Sequence, residues 1–427
     1  MKCLINELKE MRSYLLLWFT QLISGLGSAM TAYALVIWSY TQEGSALYTA
    51  MLMVCSYAPY VICSIFAGAL SDRWDKKKTM LICDALAAFS TVIVLLLLKN
   101  NALQLWHLYI VNAISGLMNT VQQPASEVAT SALLKREYYQ KVGGLRYLSN
   151  SLNTILTPIL TMAIMGFWGI DAVIAIDLCS FLIAFAVLLF FIPIPHTEAE
   201  GKTETVLQSA AAGIRWLKHN PGIFHLMLFL AAINLVASMF NAALPALMLS
   251  KASETALSTV NAVTGIAMLA GSLLASFLPA PKSRIKAIWC CLMLSMCTEN
   301  FFLAFGNNVW LWCFGAVLGW IALPWMSANL EAVNRLNIPM EIQGRVFAAR
   351  NSFQFFTIPV GYFLGGLLVD QVFEPVMALQ KPDSFLVRLF GGGKGSGAAF
   401  LFAVLWFLGI GVCMLFRGDK YIRNLEE

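Results

Sequence analysis

The chain has 427 residues, of which 59% are hydrophobic and 12% charged, with a mean hydropathy of +0.73. A soluble protein of this length would carry about 25% charged residues. The composition therefore leaves no room for a large soluble domain and points to an all-α polytopic membrane protein. The formal net charge of +5 is dispersed over short polar connections and gives no nucleic-acid signal.

Apolar runs long enough to cross a hydrocarbon core of about 30 Å recur along the chain at 13–39, 46–70, 79–98, 104–130, 140–165, 170–193, 222–249, 256–279, 285–305, 309–331, 346–369 and 398–416. The first follows an amphipathic start and is too long for the apolar core of a signal peptide. Between the second and third lies GALSDRWDKKKTM, residues 68–80, a basic hairpin with Lys76, Lys77 and Lys78 and a turn at Ser71-Asp72-Arg73. Such a hairpin belongs on the cytoplasmic side. With both termini cytoplasmic, Lys99, Lys251, Lys381, Arg388 and Lys394 are external and Arg146 and Arg350 fall inside helices. The rest of the 28 Lys and Arg residues are cytoplasmic. The longest polar connection, 194–221, divides the chain into an amino-terminal six-helix bundle (1–193), a linker and a carboxy-terminal six-helix bundle (222–427). The linker has an interfacial helix with Ala211, Ile214 and Leu217 on one face. The external stretch 370–397 is long and includes GGGKGSG, read either as a loop with a short amphipathic helix or as a plain flexible loop. Of the 10 cysteines, all but Cys3 sit in apolar runs as small hydrophobes, with no metal-ligand spacing.

The halves repeat. At a constant offset of 204 residues, Trp106 meets Trp310, Glu127 meets Glu331, Glu137 meets Glu341, Arg146 meets Arg350, and Asn150 meets Gln354. Charged residues are sparse in the spans, so these matches indicate two parallel, pseudo-symmetric repeats. Glu127, Arg146, Glu331 and Arg350 sit near helix ends on one side. Their pairing across the halves would make an inner gate; four charges reaching for water at helix ends is the alternative. Polar stripes at helical spacing mark inward faces: Gln21, Ser24, Ser28 and Thr31 in the first span; Asn112, Ser115, Asn119 and Gln122 or Gln123 in the fourth; Asn150, Asn153 and Thr157 in the fifth; Asn234, Ser238 and Asn241 in the seventh. Gln354 in the eleventh joins them as candidate lining. Amides do not face lipid cheaply, so each stripe lines a cavity or bonds across a packed helix interface. No phosphate-binding GxxxxGK[ST] occurs, so uphill transport would draw on an ion gradient and need no cofactor. Among intramembrane carboxylates, Glu127, Asp84 and Glu299 are candidates for carrying a proton. Asp177 is a fourth acid within a span. The four histidines have no nucleophile or ligand spacing, and catalysis has little support.

The spacing Gly68-x-Leu70-Ser71-Asp72-Arg73 followed by a basic cluster resembles the signature loop of major facilitator superfamily transporters, with Asp75 where the family usually has glycine. AAGIRWLKHNPG (211–222) and Gln343-Gly344-Arg345-Val346-Phe347 resemble the drug-efflux branch that includes bacterial macrolide and enterobactin exporters. The resemblance implies twelve transmembrane helices in two six-helix bundles, with spans 1, 4, 7 and 10 central. It also implies a conformational latch of Gly68, Asp72 and Arg73 against Gly344 and Arg345, and residence in the bacterial cytoplasmic membrane as a monomer. The implied function is export of a small hydrophobic or amphipathic compound by proton antiport and alternating access. A siderophore or lipid exporter, or a transport-inactive sensor of the same fold, is the alternative. The fifth span has Asn153-Thr-Ile-Leu-Thr157-Pro158 without the glycines common in antiporters of the family, which weakens the inference of antiport.

Overall fold

The computed structural model describes residues 10–134, 139–194, 206–339, 346, 349–350 and 353–426, with the side chains of 64–73, 131–132, 139–144, 147, 206–212 and 335 excepted. The described residues form helices joined by short turns, with no strand among them. In hydrocarbon every backbone N–H and C=O must be satisfied within its own segment, which a helix does and an isolated strand does not. In order they are α1 (Arg12–Glu43), α2 (Ala46–Arg73), α3 (Lys76–Lys99), α4 (Leu105–Leu133), α5 (Tyr139–Trp168), α6 (Ile170–Phe191), α7 (Val206–His219), α8 (Pro221–Lys251), α9 (Glu254–Phe277), α10 (Arg284–Phe305), α11 (Val309–Trp320), α12 (Leu323–Asn337) and α13 (Thr357–Leu367). A π-helical turn (Leu368–Phe373) then leads into α14 (Glu374–Ala378), α15 (Phe385–Phe390), α16 (Ser396–Arg417) and α17 (Lys420–Arg423).

Among the described residues, eleven helical segments are long and apolar enough to cross a membrane. The expected span 104–130 is present as α4 but is not among those eleven; Asn112, Asn119, Gln122 and Gln123 make it polar. The tenth expected span is two helices, α11 and α12, split at Ile321–Ala322 where Pro324 opens the second. Proline has no N–H to continue the ladder but fits a first turn. The eleventh runs on past its expected end at 369, through the π-helical turn and α14 to Ala378, so the stretch expected as an external loop from 370 begins as helix.

By proximity of Cα atoms the chain divides into two compact units, Met1–Val36 with Cys55–Val206, and Ile37–Val54 with Leu207–Glu427. The end of α1 and the start of α2 thus group with the second unit. In the first unit α3 packs on α4 and α6, and α5 on α6. Leu17, Met80, Ala125, Ala129, Leu188 and Ile192 form a core drawn from α1, α3, α4 and the end of α6. In the second unit α8 packs on α13 and α16, α10 on α11, α12 and α16, and α9 on α11 and α12. Ile214 and Leu217 of α7 join a core with Ile223, Met227 and Ile338, while Arg215 and Lys218 are exposed.

The basic hairpin is built differently from its expected turn. α2 runs on through Ser71-Asp72-Arg73, and the break falls at Trp74-Asp75. Asp75 is the N-cap of α3, its carboxylate accepting from the N–H of Lys78 at 2.9 Å. An aspartate cap satisfies a first-turn donor that a glycine there would leave to water. Lys77 donates from Nζ to the carbonyls of Leu189 (2.9 Å) and Ile192 (2.8 Å), closing the end of α6.

Candidate functional site

A cavity of about 420 Å³ in the first unit gathers several of the residues singled out by sequence: Gln21 from α1, Glu127 from α4, and Arg146 and Asn153 from α5, beside Tyr14 and Trp18. The helix period makes this possible. Gln21 lies one turn beyond Trp18 on α1, and Arg146, Ser149 and Asn153 follow one face of α5. Trp18 donates its indole N–H to the carbonyl of Leu145 at 3.1 Å and fixes the α1–α5 approach. Arg146 donates to Glu127 at 2.9 Å, and both side chains are about half exposed, at 58% and 52%. This ion pair lies within one unit. Its exposure places it among pairs worth about 0–1 kcal/mol to stability.

One face of α5 carries polar atoms with nothing to bond. Asn153 Oδ1, Thr157 Oγ1 and Thr161 Oγ1 are buried and have no hydrogen-bond partner among the described residues. Thr161 is fully buried. They recur every fourth residue, along one line. A buried polar atom without a partner costs about 1–3 kcal/mol; of the three residues, Asn153 lines the cavity and Thr157 and Thr161 lie beneath it in the packed interior.

Two acids of the first unit are bonded to the polar stripes. Gln122 Nε2 donates to Asp84 at 2.6 Å, and Ser28 Oγ donates to Asp177 at 3.0 Å. Gln122 and Ser28 thereby connect α3 and α6 to the stripe helices. Ser24 is half-buried and Thr31 buried; Asn112 bonds back to Leu108 O, and Asn119 is exposed.

In the second unit, Asn234 donates to Gln354 O at 3.3 Å and Thr357 to Ala231 O at 2.9 Å, which ties α8 to α13. Asn241 is exposed, Glu331 and Arg350 are half-buried, and Glu299 is buried on α10 against Gly319 of α11. Of the expected latch, Gly68, Asp72 and Arg73 lie in the last turns of α2 with side chains outside the described residues. Gly344 and Arg345 lie outside them altogether, as do Glu137 and Glu341.

One polar cluster escaped the sequence reading. Asp370, on the π-helical turn, accepts from Ser45 Oγ (2.5 Å), Ala46 N (3.1 Å) and Leu47 N (2.9 Å), so it caps the amino end of α2. One turn on, Glu374 accepts from Gly395 N (2.8 Å) and Gly397 N (3.2 Å) and caps α16. Tyr40 OH meets Ser250 Oγ at 2.6 Å, and Lys394 stands 5.7 Å from the Tyr40 ring centroid. The available signal was two carboxylates four residues apart, Asp370 and Glu374, at the end of an apolar run.

The sequence profile of the Major Facilitator Superfamily matches residues 17–247. The chain belongs to the Major Facilitator Superfamily. It is a multi-pass membrane transporter rather than an enzyme, with a small-molecule substrate and a bilayer environment. It is 24% identical over 364 residues to macrolide efflux protein A of Streptococcus pyogenes, covering 83% of this chain and 89% of that protein. It is 25% identical over 326 residues to macrolide efflux protein A of Enterococcus faecalis, covering 74% and 99%. Among solved structures, the nucleoside transporter NupG superposes with a TM-score of 0.70 at 13% identity, covering 94% of this chain and 99% of that one. That likeness carries the fold. The efflux-named relatives agree with the drug-efflux resemblance of residues 211–222 and 343–347.

Proposed function

We propose that this transporter exports a small hydrophobic or amphipathic compound of the drug or macrolide class by proton antiport and alternating access. The observation that carries the reading is the first-unit cavity. Aromatic Tyr14 and Trp18 wall it, and Gln21, Asn153 and the Glu127–Arg146 pair line it. Aromatic rings beside a wall of polar and charged groups suit an amphipathic ligand. The names of the efflux relatives support the substrate class.

Coupling follows from the pair. A proton delivered to Glu127 removes its charge and releases Arg146, so protonation changes the charge of the cavity wall. Asp84, bonded to Gln122 of α4, and buried Glu299 are the other acids proposed to carry protons. Pairing of Glu127 and Arg146 with Glu331 and Arg350 in another conformational state would close the inner gate. Asp72 would latch to the Gly344-Arg345 turn in the same state. Both termini are assigned to the cytoplasm of a bacterial cell, and the monomer is the proposed unit.

The test is reconstitution in liposomes with an imposed pH gradient and a radiolabelled macrolide. Gradient-driven flux that falls at least about tenfold in Glu127→Gln supports proton antiport. Flux that ignores the gradient makes the protein a facilitator, and binding without flux makes it a sensor.

A further inference from the structure

The second unit holds another cavity, of about 610 Å³, where α8 and α10 begin and α16 ends, with α17 along one side. None of the polar stripes reaches it. We propose that it is a binding site for the phosphate headgroup of an anionic phospholipid.

The charge comes first. Lys286, Arg417 and Arg423 line the cavity. Two acids line it too, but both are committed to backbone and neighbours. Asp419 accepts from Tyr421 N (2.8 Å) and Ile422 N (3.1 Å) as the cap of α17 and pairs with His225 at 2.6 Å. Glu426 accepts from Ile285 N at 2.8 Å and from Ser283 Oγ, at the amino end of α10. None of the three cations is in an ion pair among the described residues.

The cations are also held in place. The Arg417 guanidinium lies 4.9 Å over the Trp289 ring, and the Trp289 indole N–H donates to Cys413 O at 2.6 Å. Arg423 donates to Arg417 O at 3.0 Å, which folds α17 back on the end of α16. Arginine stacked on an aromatic face keeps its remaining N–H groups for oxygen acceptors.

Position and lining select a lipid over a soluble anion. Arg417 is the last residue of one membrane-length helix and Lys286 lies in the first turn of another, so the cations stand at the depth of headgroups. Below them the wall turns apolar through Phe229 and Phe416, whose rings lie 5.1 Å apart. A free phosphate gains nothing from that wall, whereas the glycerol and first acyl carbons of a lipid do. Basic pockets between membrane helices are the usual place for such headgroups. In the orientation proposed above this is the cytoplasmic leaflet; only the choice of leaflet rests on the transport reading.

The experiment is native mass spectrometry of the full chain released from micelles containing equal phosphatidylglycerol and phosphatidylcholine of the same acyl chains. No gradient or transported substrate enters, so its outcome is independent of the export reading. Preferential retention of phosphatidylglycerol is expected. Retention should fall about fivefold for each cation removed in Lys286→Gln and Arg423→Gln, return in Lys286→Arg, and stay unchanged in Lys381→Gln at the other end of the unit. Equal retention of both lipids overturns the proposal. So does unchanged phosphatidylglycerol retention in a Lys286→Gln/Arg423→Gln double variant whose melting temperature matches wild type. Full displacement of phosphatidylglycerol by millimolar inorganic phosphate overturns the lipid assignment in favour of a free-anion site.

Discussion

The same helix face is put to opposite uses in the two units. At the offset of the internal repeat, Asn153, Thr157 and Thr161 of α5 correspond to Thr357, Gly361 and Gly365 of α13. In the second unit Thr357 bonds to Ala231 O, and both glycines lie flat against α8. A Cβ on Gly365 would stand 2.8 Å from the Met239 backbone and one on Gly361 2.6 Å from Leu235 O. In the first unit the three residues carry polar atoms with no described partner, and Asn153 lines a cavity. In one unit this face is a sealed seam; in the other Asn153 opens onto a cavity, which we propose takes the ligand.

The largest expected effect tests the seam. Gly365→Leu must push α8 and α13 apart and should lower stability by about 3 kcal/mol or prevent folding, read by thermal unfolding in micelles. A fully stable variant would show that the seam is not tight. Next comes Asp370→Asn, which keeps the shape but removes the charge that caps α2. A loss of about 1–2 kcal/mol is expected, with faster amide exchange at residues 45–47; unchanged exchange would remove Asp370 from the cap.

A matched pair then sharpens the comparison. Thr357→Val deletes a bonded hydroxyl and should cost about 1 kcal/mol, whereas Thr157→Val deletes one without a described partner and should leave stability unchanged or raised. Equal losses would contradict the contrast between the units. The smallest effect is on pH. Burial raises the proton affinity of Asp419, but the hydrogen bond and charge of His225 and the N–H groups of Ile422 and Tyr421 outweigh it, and its pKa falls below the usual 3.8. A carboxyl depressed in the folded state contributes stability that is present above that usual value and lost as pH falls through the folded one. Tail docking should therefore be intact at neutral pH and weaken only below about pH 4, as amide exchange at residues 420–425 would report. Weakening near pH 6 would assign the switch to another group.

What was legible in the sequence was what local pattern carries. Long apolar runs define the spans, and the offset matches of Glu127 with Glu331 and Arg146 with Arg350 define the repeat. Arg146 and Asn153 fall on one cavity face because helical spacing alone puts them there. What was hidden depends on contacts between distant residues. Nothing local to Asp370 says that it will meet Ser45, 325 positions away. GGGKGSG looked flexible because glycine is permissive, yet Gly391, Gly393 and Gly395 hold φ of 77°, 78° and 91°, the left-handed region only glycine enters freely. Asp75 looked like a lost glycine and is a helix cap. Its function depends on where α2 ends, at Arg73, three residues beyond the expected end of the span at 70.

We propose that the open copy, not the sealed one, meets the substrate. Photolabelling with a photoreactive macrolide, followed by peptide mapping, tests it most directly. Labelling concentrated in α1, α4 and α5, around Trp18, Gln21 and Asn153, and competed by unlabelled macrolide, is the predicted result. Competed labelling confined to α8 and α13, with α1, α4 and α5 untouched, would contradict it.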